Sequence, residues 1–187
     1  MLKTDSFNAD EYDFLLIQNL LNRMGARVPQ VLAIAGDDGA ILLEDLGDVT
    51  LLHELGRRYG LSNRNMLYRR AIDLLVDFHS KINPANESQY VPGFTMAFDH
   101  EKLMWEIDFT IEHLLEKFLQ REISKQTKTV LREGFSDICR RIEKEPRVFT
   151  HRDFHARNIM VKNDEFVCID FQDARMGPRQ YDLASLL

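Results

Sequence analysis

The chain has 187 residues, 44% of them hydrophobic, with 24 basic against 30 acidic side chains and a formal charge of −6 at pH 7. That length fits one globular domain or two small lobes, and the acidic balance lacks the basic footprint of a general nucleic-acid binder. No apolar run is long enough to span a bilayer.

The opening "MLKTDSFNADEYDF" is acidic where a signal peptide would be basic and then apolar. Cys139 and Cys168 have no CxxC spacing and no metal-ligand company, so both read as reduced and buried. Together these features point to the cytoplasm.

In chain order, "NADEYDFLLIQNLLNRMG" predicts an amphipathic helix, with Asn8 capping it, Glu11 three residues on, and Gly25 as its stop. Phe14, Ile17, Leu21 and Met24 recur along it at helical spacing. "VPQVLAIAGDDGAILLEDLGD" predicts two strands around the turn Gly36-Asp37-Asp38-Gly39, the second running into a hinge-like "EDLGD".

From Thr50 to Glu145 the pattern is helical. Leu67, Ala71, Leu74, Leu75 and Phe78 form one stripe, ended by Pro84. Leu103, Ile107, Ile111, Leu114 and Phe118 form a second, and a helix from about Ser124 carries Val130, Leu131, Ile138 and Ile142. All three are expected to face the core of a bundle.

"RVFTHRDFHARNIMVKNDEFVCIDFQDA" breaks this periodicity. It predicts a strand, a polar loop, and a hairpin turning at Asn163-Asp164. Phosphoryl transfer needs a carboxylate to orient the acceptor hydroxyl and take its proton, and hard oxygens to hold magnesium against ATP. The tight loop holds Asp153 near Asn158, and the hairpin returns Asp170 beside them. The protein-kinase signature is H-R-D, then N, then a downstream metal-binding aspartate. Here it reads His151-Arg152-Asp153, Asn158 and Asp170, with Gln172 where "DFG" has glycine. A metal-hydrolase reading of His151 and His155 fails for lack of the HExxH glutamate and a third ligand.

"HRDFHARNIM…CIDFQDARMGPRQYDLASLL" resembles the aminoglycoside phosphotransferase and choline kinase superfamily. Within it, the closest likeness is to bacterial kinases of the anomeric hydroxyl of N-acetylmuramate and N-acetylglucosamine. "ILLEDLGD" resembles the family's last N-lobe strand and hinge.

The resemblance implies an α+β, protein-kinase-like fold fragment using ATP and Mg2+ on a small-molecule acceptor, expected to be a sugar. Residues 1–47 would be a partial N-lobe of one helix and two strands. Residues 48–187 would be a partial, mainly helical C-lobe with its catalytic loop at 149–173.

Asp153 would be the base, Asn158 and Asp170 the metal ligands, and Glu44, Asp45 and Leu46 the adenine edge. His151 and His155 would support the loop; Asp182 would either bond back to it or cap its own helix. Alternative acceptors are an aminoglycoside, choline or homoserine, and a different class of reading is an inactive kinase-like binding module. Arg152, Arg157, Arg175 and Arg179 lie near the loop, where guanidinium groups suit a lactyl carboxylate, ATP phosphates or water.

No Gly-rich loop with a phosphate lysine precedes the first helix, and "MLKTDSF" is too short for a strand pair. Asp10, Glu11 and Asp13 compete as that lysine's helical partner. At the other end "YDLASLL" stops at Leu187 as a helix begins, so the chain reads as truncated at both ends.

Overall fold

The structure is a computed structural model, and it describes residues 2–57, 61–83 and 90–187. Pro84, expected to end the long helix, lies outside the described residues.

The first sheet has three strands in the order β1-β3-β2: β1 Leu2–Lys3, β2 Val31–Ala35 and β3 Ala40–Leu43, all antiparallel. Strand β1 was not anticipated, and as a single two-residue strand it is not the strand pair for which "MLKTDSF" was judged too short. Two residues suffice because β3 offers a free edge, with Leu2 opposite Ile41 and Lys3 opposite Ala40. Gly39 makes the approach possible. It has φ +59, and a Cβ there would lie 2.1 Å from the Thr4 carbonyl oxygen.

Helix α1 spans Asp13–Arg23 and starts later than the expected cap at Asn8. Asn8 instead closes a turn, its side-chain oxygen accepting from the Asp10 N–H at 3.1 Å, and Tyr12 occupies the cap position without a side-chain bond. A short polar side chain with Asp-Glu two residues on serves an Asx turn as well as a helix cap, so the local code was ambiguous.

Helix α2 (Leu51–Gly56) and the long α3 (Leu61–Lys81) follow, then the single turn α4 (Pro92–Thr95). On α3, Leu67, Ala71, Leu75 and Phe78 are buried, as their spacing demands. They join Ile17, Leu20 and Leu21 of α1, and Phe149, Phe154 and Phe171, in one continuous core.

The next stripe behaves differently. Helix α5 (His100–Thr110) runs into a π-helical segment at Ile111–Phe118, and α6 spans Lys125–Glu143. Ser124 caps α6 by accepting from the Thr127 N–H, yet Cys139 is its only buried residue. Leu114, Phe118, Val130 and Ile138 are exposed, against expectation. Helical periodicity shows that a face is apolar, and among the described residues it is chiefly α5 that packs on this one.

The second sheet pairs β4 (Arg147–Thr150) with β7 (Arg175–Pro178). The sequence reading missed β7, because "RMGP" has neither alternation nor β-branched residues. The third sheet is the hairpin of β5 (Ile159–Lys162) and β6 (Glu165–Cys168). It turns at Asn163 and Asp164, both at positive φ, as their side chains allow. Helix α7 closes the described chain at Gln180–Leu186.

Candidate active site

Strand β4 delivers a loop that begins in the core and ends in solvent. His151 is fully buried; its Nε2 donates to the Ile169 carbonyl at 3.0 Å, and burial lowers its pKa. It is therefore a neutral structural imidazole.

Asp182 is also fully buried, although it is a carboxylate. It accepts from the backbone N–H of His151 and of Arg152, each at 2.8 Å, and contacts His79 Nε2 on α3 at 2.8 Å. The cap alternative for Asp182 does not occur: the N-cap of α7 is Arg179, with no side-chain bond. Three partners replace the water a buried carboxylate loses, and the loop is thereby tied to both α7 and α3.

His79 is the residue that sequence reasoning missed. A histidine near the end of a helix looks like an ordinary surface residue, and its partner lies 103 positions away.

Held in this way, Arg152 takes the left-handed φ of 77° and turns Asp153 outward, where it is exposed. His155 closes the turn by donating its N–H to the Asp153 carbonyl at 2.8 Å. Asn158 Nδ2 donates to the same carbonyl at 3.0 Å and reaches Asp170 Oδ2 at 3.4 Å. One amide thus brings the Asp153 turn and Asp170 together.

Asp170 has φ 64° and takes a 2.7 Å bond from Gln172 Nε2 on its other oxygen. The next residue, Phe171, is fully buried and stacks on Phe14 of α1 at 5.3 Å, which fixes the direction of the Asp170 side chain. Among the described residues, both partners of the Asp170 carboxylate are neutral amides and the Asn158 side-chain oxygen is uncommitted. Such a set of hard oxygens fits a magnesium ion that retains water and phosphate ligands. Among the described residues no cluster of three or more His, Cys, Asp or Glu side chains forms a separate metal site.

Beside Asp170 lies a cleft of about 620 Å³, lined by Phe14, Leu42, Met160 and Ile169 and by Glu44–Leu46, the segment after β3. These three residues differ in their contacts. Leu46 is buried against Met160 and Val167. Glu44 is gripped by Arg27 through two 3.1 Å bonds and by Lys162 at 3.0 Å. The Arg27 guanidinium above all holds its pKa near 2, well below the usual 4.5. Lys162 also donates to the Asp45 carbonyl at 2.7 Å, so that carbonyl is already committed to the β5–β6 hairpin.

The cysteines are free and buried, as expected, and burial pushes both thiols up. Among the described residues no helix is long and apolar enough to cross a membrane.

Comparison with known proteins bears on the family and the fold. The model of the phosphotransferase enzyme family matches residues 9–187. N-acetylmuramate/N-acetylglucosamine kinases of Neisseria meningitidis serogroup B and Pseudomonas aeruginosa are each 32% identical to the chain. The alignments cover 93% and 92% of the chain, but 49% and 48% of those proteins. The chain thus spans about half the length of the relatives it matches.

Among solved structures, an ADP-bound aminoglycoside phosphotransferase superposes with a TM-score of 0.65 at 18% identity, covering 92% of this chain and 58% of that one. A choline/ethanolamine kinase family protein of Mesorhizobium loti gives 0.59 at 14% identity, covering 96% and 53%. These two share the fold: α+β, kinase-like, with the loop carried between small sheets and a helical layer. By the match across residues 9–187, the chain belongs to the phosphotransferase enzyme family.

Proposed function

We propose that this chain carries the catalytic loop of an ATP-dependent kinase that phosphorylates a hydroxyl of an amino sugar, N-acetylmuramate or N-acetylglucosamine. The observation that carries the reading is the single amide of Asn158, which contacts both the Asp153 turn and Asp170 at the edge of the cleft. The names of the relatives support the acceptor. In this reading residues 1–47 form the nucleotide-side lobe and residues 48–187 the acceptor-side lobe, in the cytoplasm, where ATP is available.

Asp153 receives the proton of the acceptor hydroxyl. Its carboxylate is exposed and accepts no hydrogen bond among the described residues, so it is free to orient the nucleophile. Asn158 and Asp170 hold magnesium, which when bound neutralises the charge that develops on the transferred phosphoryl group. Leu46 and its hinge neighbours meet the adenine. His151, His155 and Asp182 keep Asp153 at its station without transferring protons.

Mixing the purified chain with Mg2+, ATP and each of N-acetylmuramate, N-acetylglucosamine, kanamycin and choline tests the reading. ADP release is followed, and phosphorus NMR identifies the product. Anomeric sugar phosphate is the expected product. Turnover with kanamycin or choline and with neither sugar contradicts the acceptor assignment. Nucleotide binding without turnover on any of the four supports a binding module instead.

A further inference from the structure

Next to Asp153, and away from the nucleotide cleft, the fold gathers two cations around one aromatic ring. Arg152 and Arg175 each place their guanidinium carbon 5.7 Å from the ring centre of Phe98, which is fully buried and stacks on Tyr181 at 4.5 Å. The arrangement is tightly built. Gly177 lies on the strand of Arg175, and a Cβ on it would come within 2.7 Å of the Phe98 ring.

Two like charges so placed need anions, and the chain supplies them only loosely. Arg152 lies 4.0 Å from Glu106 and 3.8 Å from Asp173, both beyond hydrogen-bond length, and its Nε is buried without a partner. Arg175 forms no ion pair among the described residues and donates one bond, 3.5 Å long, to the Asp173 carbonyl. Burial first, and then Arg152, lower its pKa, as expected for a partly desolvated cation beside another.

We infer that Arg152 and Arg175 form a carboxylate-recognition pair for the acceptor, selecting a sugar with an acidic side arm over its neutral counterpart. The inference rests on the kinase reading above and goes beyond it by naming the specificity residues.

Three observations favour an acceptor carboxylate over an ATP phosphate. Neither arginine lines the cleft bounded by Glu44–Leu46 and Asp170. Arg152 and Asp153 both lie within electrostatic reach of Tyr181, so an anion bound to Arg152 sits near the proposed base. Arg175 lies on β7 opposite Thr150 and shares the Phe98 ring with Arg152, which faces Glu106 of α5. A guanidinium fork takes a carboxylate by two parallel bonds, which the distant Glu106 and Asp173 do not provide. N-acetylmuramate carries a lactyl carboxylate of this kind and N-acetylglucosamine lacks it.

The test measures binding to the full chain by calorimetry and ligand-observed NMR, without requiring turnover. The ligands are N-acetylmuramate, its neutral methyl ester and N-acetylglucosamine, each with the wild-type chain and with Arg175→Gln and Arg175→Lys. Wild type is expected to favour the free acid over the ester by roughly tenfold to a hundredfold, the range for charge-assisted hydrogen bonds. High salt should reduce that ratio. In Arg175→Gln it falls toward one, and Arg175→Lys restores part of it. Circular dichroism establishes that each variant is folded; if Arg175→Gln fails to fold, the comparison of acid with ester on wild type decides alone. Equal binding of acid and ester overturns the arginine assignment and leaves the kinase reading standing. Absence of binding by all three sugars overturns both. Displacement of the acid by ATP assigns the pair to the nucleotide and overturns the acceptor role.

Discussion

Asp182 shows how much of the loop depends on one side chain. Its carboxylate is wholly inside the protein and satisfies the His151 and Arg152 N–H groups as well as His79. Asp182→Ala leaves two buried N–H groups unpaired and is expected to cost about 3 kcal/mol of stability. His79→Ala removes one of three partners and costs about 1–2 kcal/mol. Chemical denaturation of the single and double variants checks this: the losses must be strongly non-additive, because both remove the same contact. Additive losses would mean that the two side chains act separately. The exposed members of the site were legible in the sequence, because Asp153, Asn158 and Asp170 stand at fixed spacings between strands. The scaffold that aims them was only partly legible. Asp182 was ambiguous between cap and tether, and His79 carried no signal until the fold joined α3 to α7.

At the scale of elements, the segment after β3 is fixed by charge as much as by packing. Glu44 ties the loop before β2 to the β5–β6 hairpin through Arg27 and Lys162. Its pKa is depressed to about 2 from 4.5, so the folded state binds fewer protons than the unfolded state between those values. The stabilisation is therefore complete above pH 4.5 and fades as the pH falls toward 2. Glu44→Gln is expected to cost on the order of 2 kcal/mol at pH 7. Thermal melts of both proteins at stepped pH should converge across that acid window, and a gap independent of pH would contradict the account. The hinge residues were visible in "ILLEDLGD", but their partners 17 and 118 residues away were not. The elements missed or misjudged share a physical cause. Strand β1 exists because β3 has a free edge, and β7 exists because β4 has one. The stripe on α6 was read correctly as apolar, yet periodicity carries no information about which neighbour arrives to cover it.

Over the whole molecule, apolar surface collects in two places. On the first sheet Leu32, Ile34 and Leu42 are 62%, 46% and 47% exposed. On the α5–α6 layer, Trp105, Phe118, Val130 and Ile138 face outward as well. Surface of this kind drives association and dye binding. Static light scattering of the purified chain should therefore show concentration-dependent mass above 21.9 kDa, together with binding of an apolar dye. A monomer that binds no dye would contradict it. The central claim is a division of labour, with Asp153 serving the acceptor proton and Asn158 and Asp170 serving the metal. Its most direct test is a Mn2+ titration, followed by electron paramagnetic resonance in the presence of ADP, on wild type, Asp153→Asn and Asp170→Asn. The account predicts that Asp170→Asn weakens the manganese–nucleotide complex at least about tenfold more than Asp153→Asn does, as loss of an ionised ligand should. Equal weakening by both substitutions would make Asp153 a metal ligand and contradict the account.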